Sequence, residues 1–167
     1  NSYTAQAYIT TDQNANQITT FHPGAMQYSN QIKIPDNGSI TLGLISPDGR
    51  DGMIDHTKQL IDMKVPYVFD PGQGMPMFNK DELSFFSDNA SWIIMNDYEF
   101  KMYNDITGLT PSDIVANNKT LVITDGDNGS NIFTVNQKLN ISTPKVKNPK
   151  DPTGCGDAYR AGVIHGI

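Results

Sequence analysis

Residues 92–126 read WIIMNDYEFKMYNDITGLTPSDIVANNKTLVITDG, and the succession of patterns within them decides the fold class. Trp92 to Met95 is an unbroken apolar run of strand length that ends at Asn96. Asp97 to Ile106 then spaces its apolar residues as a helix does and is stopped by Gly108, and Pro111 to Ala116 opens a second helix. Leu121 to Ile123 is again short and apolar, ending at Thr124, Asp125 and Gly126. Apolar runs joined through helices rather than tight turns predict neighbouring parallel strands covered on both faces.

Working outward, the same alternation continues toward the N-terminus. Val65 to Phe69 (VPYVF) is a short strand ending at Asp70, and Lys80 to Ser87 follows as a helix. Before it, Met53, Ile54, Leu60 and Ile61 lie at helical spacing within Gly52 to Met63, and Ile40 to Ile45 (ITLGLI) predicts a strand buried on both faces. Toward the C-terminus, Asn131 to Val135 and Leu139 to Ile141 form a hairpin, and the chain is helical from Ala158. The beginning differs. Tyr3, Ala5, Ala7 and Ile9 alternate with polar residues, a polar turn spans Asp12 to Asn16, and Ile18 to Phe21 returns as a second strand, which predicts a hairpin with one covered face. A His22-Pro23-Gly24-Ala25 turn leads out of it.

Composition narrows the function classes. A chain of 167 residues suits one domain or part of a larger one. With 12 Lys and Arg against 18 Asp and Glu, its charge of −6 repels nucleic-acid backbones and anionic lipid, so neither is an expected partner. No apolar run reaches the roughly 18 residues of a membrane span. The lone Cys155 excludes an internal disulfide or a multi-cysteine metal site and agrees with a reducing cytoplasm, and the three histidines show no ligand spacing. Asn1 in place of a start methionine, and a terminal helix still in progress, lead us to expect a piece of a longer chain.

In parallel sheets, ligands sit beyond the carboxyl ends of the strands. Those ends carry Asp70-Pro71-Gly72-Gln73-Gly74, Asn96-Asp97-Tyr98-Glu99 and Thr124-Asp125-Gly126-Asp127-Asn128-Gly129. The most informative segment comes later. Asp151-Pro152-Thr153-Gly154-Cys155-Gly156-Asp157-Ala158 precedes a helix. Gly154 and Gly156 let the backbone turn tightly, so the unpaired amides of Gly154, Cys155 and Gly156 form an anion hole at the helix start. Asp157 in that turn could accept a proton from a hydroxyl attacking a phosphoryl group. The plain alternative is a glycine-containing helix cap. Asn96 and Glu99, three apart, could hold the hydration shell of a phosphate-bound magnesium ion, or could simply cap their helix. Thr124, Gly126 and Gly129 offer a hydroxyl and exposed amides to a triphosphate, or make an ordinary turn. Met53, Met63, Met75 and Met77 read as core filling.

The string DPTGCGDAYRAG (151–162) resembles the second signature of the ribokinase-like (PfkB) carbohydrate kinase family, D-T-x-G-A-G-D-x-F. Asn96 and Glu99 match that family's N-x-x-E motif, Thr124, Gly126 and Gly129 its T-x-G-x-x-G stretch, and Asp70-Pro71 its D-P-N position, all in the family's order. Two departures accompany the last match. Gly72 replaces the usual asparagine, and Gln73-Gly74 stands where an arginine is frequent. The DPGQG form resembles an adenosine-kinase-like bacterial subgroup. The resemblance implies a three-layer α/β/α ribokinase-like domain, incomplete here, with residues 1–30 as a β lid and 31–167 as a partial nucleotide-binding core. It also implies ATP and Mg²⁺ as cofactors, with Asn96 and Glu99 at the metal. Thr124, Gly126 and Gly129 would lie at the nucleotide, and Asp157 would act as base above the anion hole. The expected reaction is phosphoryl transfer from ATP to a hydroxyl of a nucleoside, adenosine first, with a ribokinase- or fructokinase-type sugar kinase as the alternative. A nucleotide-binding module without turnover and a structural α/β fragment are the readings from other classes. A homodimer through the lid is the expected assembly, and the cytoplasm the expected location.

Overall fold

The computed structural model describes residues 2–12, 17–146 and 153–167. The predicted turn residues 13–16, and Asp151 and Pro152 of the signature string, lie outside the described residues. Two strands, β1 (Gln6–Thr11) and β2 (Gln17–His22), pair antiparallel as a separate hairpin, and a 3₁₀ segment, Gly24–Gln31, follows. The remaining strands and α-helices are β3 (Gly43–Ile45), α1 (Arg50–Asp62), β4 (Tyr67–Phe69), α2 (Lys80–Asn89), β5 (Trp92–Asn96), α3 (Asp97–Thr107), α4 (Pro111–Val115), β6 (Thr120–Thr124), β7 (Ser130–Phe133), β8 (Lys138–Ile141) and α5 (Cys155–Gly166), with short 3₁₀ segments at Gly72–Met77 and Gly126–Asn128. The strands form a six-stranded sheet in the order β3-β4-β5-β6-β7-β8, parallel from β3 to β6 and antiparallel thereafter.

Alternation along the strands sends side chains to two cores. Ile45, Phe69, Ile93, Met95, Leu121 and Ile123 meet Met53, Leu60, Leu83, Phe86, Tyr103 and Ile114 from α1 to α4 on one face. On the other, Val68, Ile94 and Val122 are covered by Tyr159, Val163 and Ile164 of α5. The result is three layers. At the centre of the larger core, Phe69 stacks on Phe86 with ring centroids 4.9 Å apart. The Tyr67 hydroxyl donates to the Phe86 carbonyl at 2.6 Å and Lys119 Nζ to that of Ser87 at 2.7 Å, so the carbonyls ending α2 are satisfied inside the fold.

Three expectations need correction. The run 40–45 is a strand only from Gly43, and it is not buried on both faces: β3 is the sheet edge and Leu44 is 43% exposed. The hairpin has no covered face, because every residue of β1 is exposed. Met53 and Met75 are core residues, whereas Met77 is 41% exposed.

Candidate active site

The carboxyl ends of the parallel strands open into a cavity of about 1220 Å³. Asp70 after β4, Asn96 at the end of β5, Glu99 in the first turn of α3, and Asp157 and Arg160 on α5 all line it. Phe21 and Met26 face it from the hairpin and the 3₁₀ segment, and Gln73 and Met77 from the loop after β4.

Asn96 and Glu99 sit where β5 passes directly into α3. The Glu99 backbone N–H donates to Asn96 Oδ1 at 2.7 Å, and the Asn96 backbone N–H donates to Glu99 Oε2 at 2.8 Å. This reciprocal box is the capping alternative, realised, and it coexists with a place on the cavity wall. The same arrangement starts α2 with Asn79 and Glu82, and α4 with Thr110 and Asp113.

Asp157 lies in the first turn of α5, which begins three residues earlier than the sequence pattern predicts. Gly154 is its left-handed cap, with φ 80°, and accepts the Ala158 N–H at 2.9 Å. Gly154, Cys155, Gly156 and Asp157 are all exposed, which leaves the turn's amides open to a ligand. Thr124 pairs with Asn96 across the β5–β6 ladder, and the residues after it close a tight turn in which the Asp125 N–H donates to the Gly129 carbonyl at 2.8 Å. Gly129 has φ 94°, and a Cβ there would fall 2.0 Å from the Ile141 carbonyl oxygen. Gly126 is also left-handed, with φ 47°. The structure therefore gathers Asn96, Glu99 and Asp157 around one cavity, while Thr124, Gly126 and Gly129 are outside its lining, adjacent to Asn96 through the sheet.

Arg160 and Asp48-Gly49-Arg50, after β3, also line the cavity and were not predicted. The available signal for Arg160 is its helical spacing, three residues beyond Asp157. Its Nη2 donates to Asp70 Oδ1 at 2.8 Å, and its Nε forms an ion pair with Oδ2. Burial pushes the Asp70 carboxyl up from its ordinary value; Arg160 opposes that, and the nearby Glu99 and Asp157 charges reinforce it. Arg50 forms ion pairs with Asp51, also on the lining, and with Glu82. Five lining carboxylates thus face two guanidiniums.

These features define an open α/β domain with a cavity at the carboxyl ends of the parallel strands and an acidic residue in a glycine-rich helix start. The family model described as pfkB family carbohydrate kinase matches residues 1–167, and the chain belongs to that family. A nucleoside kinase from Methanocaldococcus jannaschii is 30% identical over 161 residues, which are 96% of this chain and 53% of that protein. Among solved structures, Burkholderia thailandensis nucleoside kinase in complex with inosine is 42% identical, with a TM-score of 0.95 over 99% of this chain and 55% of that one. The same enzyme in complex with ADP-inosine gives a TM-score of 0.93. The chain has the ribokinase fold and spans about half the length of the relatives it matches. Among the described residues, no helix is long and apolar enough to cross a membrane.

Proposed function

We propose that the whole protein is a cytoplasmic, magnesium-dependent kinase that transfers the γ-phosphoryl group of ATP to a hydroxyl of a purine nucleoside. The observation that carries this reading is the convergence of Asp157, in the open glycine turn of α5, with Asn96 and Glu99 around one cavity. Asp157 takes the acceptor's proton, and the Gly154–Gly156 amides meet the negative charge of the transferred group. Thr124, Gly126 and Gly129 contact the nucleotide from the neighbouring strand end. A nucleoside acceptor is supported by the relatives' names and by the inosine complex of a protein 42% identical to this chain. Adenosine and inosine are accordingly the first acceptors to test.

The donor set suits magnesium. Among the described residues no cluster of three or more acidic, histidine or cysteine groups could hold a metal outright. One carboxylate and one amide oxygen, at Glu99 and Asn96, match an ion that keeps most of its water and binds mainly to phosphate. When bound, it would neutralise phosphate charge beside an acidic wall. We read residues 1–30 as the lid over this cavity. Tyr8 and Ile18 are exposed on the same face of the hairpin, opposite the face that carries Ile9 and Phe21, and this supports a second copy as its cover.

Mass spectrometry of the full-length protein with ATP, magnesium and a panel of adenosine, inosine, ribose and fructose tests the assignment. A phosphorylated nucleoside is expected, and Asp157→Asn should abolish it while ATP affinity stays within about threefold. A phosphorylated sugar would overturn the acceptor. ATP binding without any product would overturn the kinase reading in favour of a nucleotide-binding module.

A further inference from the structure

Arg160 stands one turn beyond Asp157 on α5, with 19% of its side chain exposed. Its guanidinium bridges the end of β4, distant in sequence, and the first turn of its own helix. On one side it holds both oxygens of Asp70, itself 3% exposed at the end of β4. On the other, its Nη1 lies over Gly156, where an added Cβ would come within 2.5 Å of it. Gly156 therefore leaves the room that the guanidinium occupies. A buried carboxylate stripped of its cation is costly, so the pair resists separation. A planar guanidinium that meets a carboxylate through two nitrogens also fixes orientation, which the point charge of a lysine does not.

We infer that Arg160 is a positioning residue: by latching the first turn of α5 to Asp70, it holds Asp157 in register with the end of β4. The consequence for turnover rests on the kinase reading above, whereas the latch itself rests on geometry alone. Asp70 and Arg160 are 90 residues apart in sequence, so this contact fixes how the glycine turn approaches the sheet. Misplacing a reacting group by about 1 Å costs about 100-fold in rate.

The test uses the full-length protein and four variants, Arg160→Gln, Arg160→Lys, Asp70→Asn and the double Asp70→Asn/Arg160→Gln. Each is measured for nucleoside phosphorylation and for amide hydrogen exchange across α5. Arg160→Gln should lower kcat about 100-fold with KM changed less than about threefold, and should speed exchange in the first turn of α5 at least about tenfold. Arg160→Lys should recover part of kcat, and the double variant should be no worse than either single one. Unchanged exchange in Arg160→Gln refutes the latch, whatever happens to activity. Faster exchange with kcat intact refutes the positioning role, and a loss confined to KM would make Arg160 a substrate ligand instead. If the parent protein phosphorylates nothing in the panel, the kinase reading and the positioning role fall together, and exchange still decides the latch.

Discussion

Replacing Glu99 by Gln separates two roles that the structure superimposes on one residue. Its Oε2 accepts the Asn96 N–H at 2.8 Å, and glutamine keeps an oxygen able to do the same. What the fold loses is a negative charge near a helix N-terminus, about 0.3–1 kcal/mol, and the charge-assisted share of one half-buried hydrogen bond. The total is about 1 kcal/mol, or a fall in Tm of about 2–4 °C for a domain of this size. The cavity loses more if Glu99 orders the water around a phosphate-bound magnesium ion. Removing that anion should lower kcat about 100-fold, equivalent to about 2.7 kcal/mol of transition-state stabilisation, and raise the magnesium concentration needed for half-maximal rate. Thermal melts and initial rates across a magnesium series measure both quantities on the same sample. A 2–4 °C shift cannot unfold enough protein at 25 °C to mimic a 100-fold loss. A variant whose kcat and magnesium dependence stay within twofold of the parent would refute the metal role and leave Glu99 as a helix cap alone.

Three further outcomes test the frame around the site. Leu83→Ala empties a fully buried position between α2 and the sheet and should cost about 2–5 kcal/mol in denaturant unfolding, with little change in the slope. Gly129→Ala places a Cβ against the Ile141 carbonyl on a backbone with φ 94°, and should destabilise by about 3 kcal/mol or more, read as a lowered Tm. The Thr110 hydroxyl, then its backbone N–H, hold the Asp113 carboxyl below its ordinary 3.8. A depressed carboxylate stabilises the fold above its unfolded value, and that contribution is lost as pH falls through the folded one. Thr110→Ala should therefore move the Asp113 titration upward, followed by carboxyl NMR, and flatten this part of the acid limb of stability.

The central strands were legible because β5 and β6 are covered on both faces, and a run such as WIIM has few other stable settings. The edges were not. Nothing in ITLGLI states that β3 would lie at the sheet edge, where Leu44 reaches the cavity instead of a core. The hairpin misled for a related reason: alternation implies one face to bury, but burial depends on what lies opposite, and nothing among the described residues covers β1. Asn96, Glu99 and Asp157 could be found because each belongs to a short local pattern. Arg160 could not, since what distinguishes it from a solvated arginine is Asp70, and helical periodicity carries no information about a partner 90 residues away.

The three capping boxes show where local pattern stops and position begins. Asn79 with Glu82, Asn96 with Glu99, and Thr110 with Asp113 satisfy helix amides in the same reciprocal way, so the box alone carries no chemistry. Their settings differ. The first follows the 3₁₀ segment Gly72–Met77 and the last a helix end at Gly108, whereas β5 turns into α3 with no intervening residue. That direct passage fixes the Asn96–Glu99 box at the carboxyl end of a central parallel strand, beside Thr124 and on the cavity that Asp157 also lines. A cap on a loop of variable length could drift relative to the sheet, but one joined to a buried strand cannot move without disturbing the core. A polar pair that must already be ordered to start its helix is pre-organised for a ligand at that end of the sheet. Capping is thus compatible with the ligand role proposed for Asn96 and Glu99, and it supplies the rigidity that such a role would require.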